Sequence, residues 1–328
     1  MIIVTGGAGF IGSNLVAALE ARGESDIIVV DRFGGDDKWR NLAKRDLAEI
    51  VAPEAVFNLI ESHRHEIDMI FHMGAISTTT ERDVDLVLAN NWRTSVAIWE
   101  QAARHGLRLV YASSAATYGD GSHGFDDDPS PAALARLVPL NPYAWSKHLF
   151  DRRVARAFRR GESLPEQWAG LKFFNVFGPN ELHKGAQMSV VPQFHRQIAE
   201  LGSARLFKSH RHGFADGGQR RDFIHVDDVV DVMLWLYDNP GVNGLFNVGT
   251  GDARSFLDLA HAVFNAMGRE PAIEFVDMPE TLRDRYQYFT EARMQRLRAA
   301  GFTRPFMNLE QGVSDYVTRY LGAPDPYK

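Results

Sequence analysis

"MIIVTGGAGFIGSNLVAALEARG", residues 1 to 23, decides the fold. Its first residues form a short apolar run of strand type, and from Phe10 the apolar positions recur at helical spacing. Between the two lie Gly6, Gly7, Gly9 and Gly12, which satisfy both G-x-G-x-x-G and G-x-x-G-x-x-G. Glycines here allow a tight turn, let backbone approach a pyrophosphate and permit close helix-on-strand packing. The phosphates then sit at the positive end of the helix. A second strand, "DIIVVD" (26–31), ends on Asp31, where a dinucleotide fold keeps its ribose-binding acid. Strand, turn, helix and acid agree on dinucleotide binding.

Outward from this unit, short apolar runs alternate with helical segments. "MIFHMGA" (69–75), "LRLVYASS" (107–114) and "LKFFNVFG" (171–178) read as strands; "VDLVLANNWRTSVAIWEQAARHG" and "PYAWSKHLFDRRVARAF" read as helices. That alternation predicts an α/β protein with a Rossmann-type doubly wound parallel sheet. Past residue 178 the loops lengthen, and "HRHGFADGGQRRDF" (210–223) reads as a mobile surface excursion. "RDFIHVDDVVDVMLWLYDN" and "GLFNVGT" (244–250) are expected to return to the first sheet. The expected division is a dinucleotide-binding domain of 1–175 plus about 222–250. A smaller α/β substrate-binding domain would hold about 176–221 and 251–328.

Composition is that of an ordinary globular chain: 328 residues, 45% hydrophobic and 24% charged. A formal charge of −6 argues against nucleic acid or anionic lipid as a partner. The basic run "RRVARAFRR" (152–160) reads as one face of a helix whose other face carries Val154, Ala157 and Phe158. With no cysteine, the chain has no disulfide, Cys-zinc site or thiol nucleophile. No apolar run is long enough to span a membrane, and the start shows no secretory signal, so a cytoplasmic protein is expected. His63/His65 and His210/His212 lack a third ligand, and the "DDV" at 227–229 reads as an acidic first helical turn; no metal is expected.

"NPYAWSKHLF" (141–150) carries the chemistry. Asn141 suits an N-cap and Pro142 a first helical position, so Tyr143 and Lys147 share one face in the first turns. A lysine ammonium and a helix N-terminus both favour tyrosinate, which would bring the phenol toward neutral pH as a base for an alcohol. Ser114, at the carboxyl end of its strand, is placed to bond the reacting oxygen. The dinucleotide type stays open on the residues alone. Asp31 favours NAD by repelling a 2′-phosphate, whereas Arg32 and Lys38 could neutralise one.

"TGGAGFIG", "ASSAATYG" and the Tyr-x-x-x-Lys pair resemble the extended short-chain dehydrogenase/reductases, the nucleotide-sugar epimerases and dehydratases. The dehydratases carry an Asp-Glu pair after the serine/threonine position, where this chain has Ala115 and Ala116. Without an acid and a base there, loss of water is disfavoured against epimerisation or simple redox. "MIIVTGGAGFIGSN", "YASSAATYG", "FFNVFGPNELHKG" and "RYQYFT" further resemble the ADP-L-glycero-D-manno-heptose 6-epimerase family.

That resemblance implies inversion at C6″ of an ADP-heptose destined for lipopolysaccharide core, using bound NADP (NAD being possible), by a homo-oligomer. It assigns Tyr143, Lys147 and Ser114 to catalysis and makes Lys184 a second acid/base group; the bland alternative for Lys184 is a phosphate contact. Cofactor contacts would fall on Gly6, Gly9, Phe10, Ile11, Gly12, Asp31, Arg32, Lys38, Met73, Gly74, Ala75, Ile76, Ser77, Asn90 and Lys147. Substrate contacts would fall on Ser114, Asn175, Val176, Lys184, Gln193, Phe207, Arg221 and Tyr286. The segment from Phe207 to Asp222 is longer here than in the family pattern, so Arg220 competes with Arg221. Rival readings are a UDP-hexose 4-epimerase, a nucleotide-sugar reductase and a noncatalytic dinucleotide sensor.

Overall fold

The computed structural model describes residues 1–283 and 286–328. The strands are β1 (Ile2–Thr5), β2 (Ile27–Val30), β3 (Glu49–Val51), β4 (Met69–His72), β5 (Arg108–Ser114), β6 (Gln167–Phe173), β7 (Asn175–Phe177), β8 (Ala204–Phe207), β9 (Arg220–His225), β10 (Gly244–Val248), β11 (Ala253–Ser255) and β12 (Ile273–Val276). Seven form one parallel sheet in the order β10-β6-β5-β4-β1-β2-β3. The order reverses between β1 and β4, which opens a crevice at their carboxyl ends.

Alternate side chains of these strands enter two separate cores, as a sheet covered on both faces requires. Val4, Val29 and Phe71 pack with Leu15 and Leu19 of the Phe10–Ala21 helix and with Val229 and Met233 of the Val226–Asp238 helix. Ile3, Ile28 and Ile70 pack on the other face with Ile98 and Trp99 of the Thr94–His105 helix and Phe150 and Val154 of the Pro142–Arg160 helix. A third core joins Phe194, Leu206, Val263 and Val313 beneath two small sheets, β11-β9-β7 and β12-β8.

Three local expectations change. β9 does not enter the main sheet; it pairs parallel with β7 and antiparallel with β11, and the chain re-enters at β10. The cause is visible in Asp222, whose buried carboxylate takes backbone N–H groups of Thr250, Gly251 and Ala292 and so belongs to the second lobe. The 210–219 excursion lies at the surface but is tied down: Ser209 N–H donates to Asp216, His210 N–H to the Tyr288 hydroxyl and Gly217 N–H to the Phe207 carbonyl. Phe158 turns outward, 64% exposed, and leans on Trp168 instead of joining the core.

Candidate active site

At the carboxyl end of β1 the backbone itself makes the cofactor seat. Gly6 has φ +67°, and a Cβ on it would sit 2.6 Å from Gly74 N. A Cβ on Gly12 would lie 2.2 Å from the Gly6 carbonyl. Gly9 caps the helix that begins at Phe10, with Ile11 in the same first turn, so free N–H groups point into the crevice. These close approaches fit a dinucleotide cradle. Asp31 stands beside it, its carboxylate accepting Ala8 N–H at 2.9 Å, Arg32 N–H at 2.7 Å and the Lys38 ammonium at 2.6 Å. Arg32 also pairs with Glu54, so both cations near the ribose acid are held by carboxylates.

The loop Met73–Ser77 forms the opposite wall. Gly74 N–H donates to Thr5 Oγ1, and Asn91 clamps Ile76 through both its N–H and its carbonyl. Asn91 also donates to Ser146 Oγ, linking this wall to the Pro142–Arg160 helix. Asn90, the asparagine expected to meet the cofactor, donates to the Leu86 carbonyl of its own helix.

Asn141 caps the Pro142–Arg160 helix by accepting Ala144 N–H, which sets Tyr143 and Lys147 in its first turns. Ser114 lies beside the Tyr143 phenol in position to hydrogen-bond it, and its oxygen accepts Ala116 N–H. The three expected catalytic groups on β5 and its facing helix therefore converge. Their proton affinities differ from expectation. Burial pushes the Tyr143 phenol up, and the Ser114 hydrogen bond offsets only part of that. Burial pulls the Lys147 ammonium down to about 8, with Asp151 opposing. Lys147 donates to the Ala112 carbonyl at 2.8 Å, so desolvation, not its charge, dominates the phenol. Beneath them His72 bridges Thr5 and Ser95 and is lowered to about 3 by burial and by Lys147, hence neutral.

The segment after β7 closes the crevice from the second lobe. Glu181, fully buried, accepts Ser189 N–H and Oγ–H and shapes the turn, while Asn41 donates to both Ala8 carbonyl and His183 Nδ1. Lys184 is thereby brought over the Phe10 ring at 5.3 Å, at the mouth of the glycine-rich turn. Burial lowers its ammonium, and Glu181 opposes. Gln193 donates to Met188 and Ser189 carbonyls and supports this same turn, and Asn175 and Val176 lie on β7 beside it. Asn41, Glu181 and His183 were not singled out from sequence.

Arg221 is the buried arginine of the pair, whereas Arg220 is exposed. Its guanidinium lies 5.2 Å from the Tyr286 ring and 5.6 Å from Phe256, and Tyr286 meets Phe207 edge-on at 6.4 Å. Among the described residues no carboxylate pairs with Arg221, and burial alone pulls its proton affinity down. A buried cation over aromatic rings, with no partner among the described residues, has the chemistry to take an anion.

The profile of the NAD dependent epimerase/dehydratase family matches residues 2–249. This chain belongs to that family. A curated ADP-L-glycero-D-manno-heptose-6-epimerase of Nitratidesulfovibrio vulgaris is 51% identical over the whole of both chains. One from Fusobacterium nucleatum is 44% identical, again over all of both. Among solved structures, the ADP-L-glycero-D-manno-heptose-6-epimerase of Helicobacter pylori superposes with TM-score 0.78 at 25% identity, covering 97% of this chain and 95% of that one. The chain is thus an epimerase of a dinucleotide-dependent family, with the Rossmann-type fold that the first 23 residues announce.

One His/Asp grouping among the described residues has the spacing of a cation site: His225, Asp227 and Asp315. Its geometry serves the fold instead. His225 Nδ1 accepts Asp227 N–H as the helix cap, which leaves the proton on Nε2 facing Asp315, and the Lys328 ammonium sits 2.5 Å from Asp227. Asp227 and Asp228 occupy that helix's first turn. No described helix is long and apolar enough to cross a membrane.

Proposed function

We propose that the chain inverts C6″ of ADP-D-glycero-D-manno-heptose through a transient ketone. The observation that carries the substrate is Arg221, buried, without a described carboxylate partner and framed by Tyr286, Phe256 and Phe207. A nucleotide diphosphate supplies the anion it lacks. Full-length relatives carrying that epimerase name support the sugar assignment.

The cradle of Gly6, Gly9 and Gly12 with Asp31 fits a nicotinamide dinucleotide, and we assign NADP because the Lys38 ammonium sits on the ribose acid, with Arg32 next to that acid in the chain though its guanidinium pairs with Glu54. Held there, such a cofactor would supply a reversible hydride acceptor for the carbinol carbon. The remaining work belongs to the protein. Tyr143 accepts the hydroxyl proton as the ketone forms, and Ser114 holds the oxygen by hydrogen bond. Lys147, once charged beside the phenol, offsets the desolvation that otherwise keeps Tyr143 protonated. Lys184 approaches from a different element, and its burial-lowered ammonium suits proton transfer on the opposite face. Redox is balanced over one turnover, so no external cofactor is consumed.

The division of labour we propose assigns cofactor binding to the main sheet and substrate binding to the lobe built from β7, β8, β9, β11 and β12. Incubation with ADP-D-glycero-D-manno-heptose, without added cofactor, tests the reading by NMR assignment of the C6″ configuration. Both epimers should appear. Unchanged ADP-heptose together with turnover of a UDP-hexose would replace this reading with its nearest rival, and a requirement for added reduced cofactor would indicate a reductase.

A further inference from the structure

β6 is a fully buried central strand, yet it carries Lys172. A cation there is costly unless it is paired and its remaining donors are used. Its partner is Asp151 on the catalytic helix, Nζ to Oδ2 2.7 Å, with both side chains wholly buried. The site described above uses neither residue directly.

The bonds around this pair lead to the catalytic groups. Asp151 Oδ2 also accepts the Ser113 hydroxyl at 2.7 Å, and Oδ1 accepts the Tyr111 hydroxyl at 3.3 Å. Lys172 donates a second bond, 2.6 Å, to Thr117 Oγ1, whose own hydroxyl donates to the Ser114 carbonyl at 2.7 Å. The ammonium lies over the Tyr118 ring at 4.9 Å. Ser114 is thus gripped on both sides: at Ser113 through Asp151, and at its own carbonyl through Thr117 and Lys172. Asp151 stands one helical turn beyond Lys147, which itself bonds the Ala112 carbonyl of the same strand end.

We propose that Asp151 and Lys172 are a positioning pair, holding the Ser114 end of β5 and the Tyr143–Lys147 turn of the facing helix in the one register that catalysis needs. The inference rests on the proposed roles of Tyr143, Lys147 and Ser114. A buried pair of this kind adds little net stability compared with apolar residues of similar size, so stability alone does not account for it. Charge follows geometry: Asp151 raises the Lys147 proton affinity against burial. The other ionisable groups around them are Tyr143 and His148 on the helix, His72 on β4, Tyr111 on β5 and Tyr118 just after it, whose phenol burial also pushes up. Both histidines are pushed down, to about 4 and about 3, and Tyr111 is pushed up, so none of the three competes near neutral pH.

The test uses the full chain with its bound cofactor. The double variant Asp151→Asn/Lys172→Met removes the pair without stranding a buried charge, and is expected to stay folded by circular dichroism and to bind substrate. Its kcat should fall about 100-fold with KM little changed, as expected for displaced catalytic groups. The single variants add a readout that packing cannot imitate. In Asp151→Asn the alkaline limb of the kcat profile should move to lower pH, and in Lys172→Met to higher pH, each by about one unit. Lys172→Arg should restore most of the rate. A folded double variant with wild-type kcat and pH profile overturns the proposal. So does failure of the double variant and Lys172→Arg alike to fold, because the pair is then structural. Wild-type turnover in the same assay is scored separately and bears on the proposed function alone.

Discussion

The proposed cofactor end and the proposed substrate end of the site are built by opposite means. At the cofactor end, backbone makes the surface: Gly6 and Gly12 approach so closely that a single Cβ would collide with main chain. At the substrate end, side chains drawn from Phe207, Arg221, Phe256 and Tyr286 make it, and the charge there is desolvated without a described partner. A backbone seat tolerates no added atom but needs no particular side chain; a side-chain seat can change its ligand by exchanging one residue. On the proposed function, the difference puts specificity in the second lobe and cofactor retention in the first.

That contrast can be broken in graded steps. Gly12→Ala, with its Cβ aimed at the Gly6 carbonyl, should release the dinucleotide and abolish turnover, read as loss of cofactor on gel filtration. Tyr143→Phe should keep both ligands while lowering kcat by about 10²–10⁴-fold, the usual worth of a general base. Arg221→Met should raise KM about 10–100-fold, the value of a charge-assisted bond, with cofactor retained; if it released the cofactor, the two ends would not be separate. Lys147 is depressed to about 8, so its ammonium is present below that pH and lost above it. Activity should accordingly decline as pH rises through about 8, checked by a kcat profile. Asn141→Ala removes the cap on Ala144 N–H and should cost about 1 kcal/mol in denaturant unfolding.

How far each end was legible follows from how it is built. The glycine-rich turn is contiguous, so its spacing alone implied a strand, a turn and a helix at Phe10. Tyr143 and Lys147 were legible because four residues of helix fix their relation, and Ser114 because it ends an apolar run. The Asn91 clamp on Ile76 was not legible, since only the packing of its helix turns that side chain toward the loop. The direction of the Tyr143 shift was missed because burial depends on the whole fold, while the lysine four residues away is visible locally. Asp151 and Lys172 left one signal that went unread: a lysine inside the otherwise apolar run "WAGLKFF". Arg221 was chosen over Arg220, but its lack of a described acid appears only once β9 and Tyr286 are brought together.

The central claim is that C6″ is inverted by removing and returning the same hydride on bound cofactor, with Tyr143 and Lys184 moving only protons. Turnover in heavy water measures it most directly. The account predicts inverted product whose C6″ position carries no solvent deuterium; deuterium at C6″ in step with inversion would mean direct deprotonation of carbon and would contradict it.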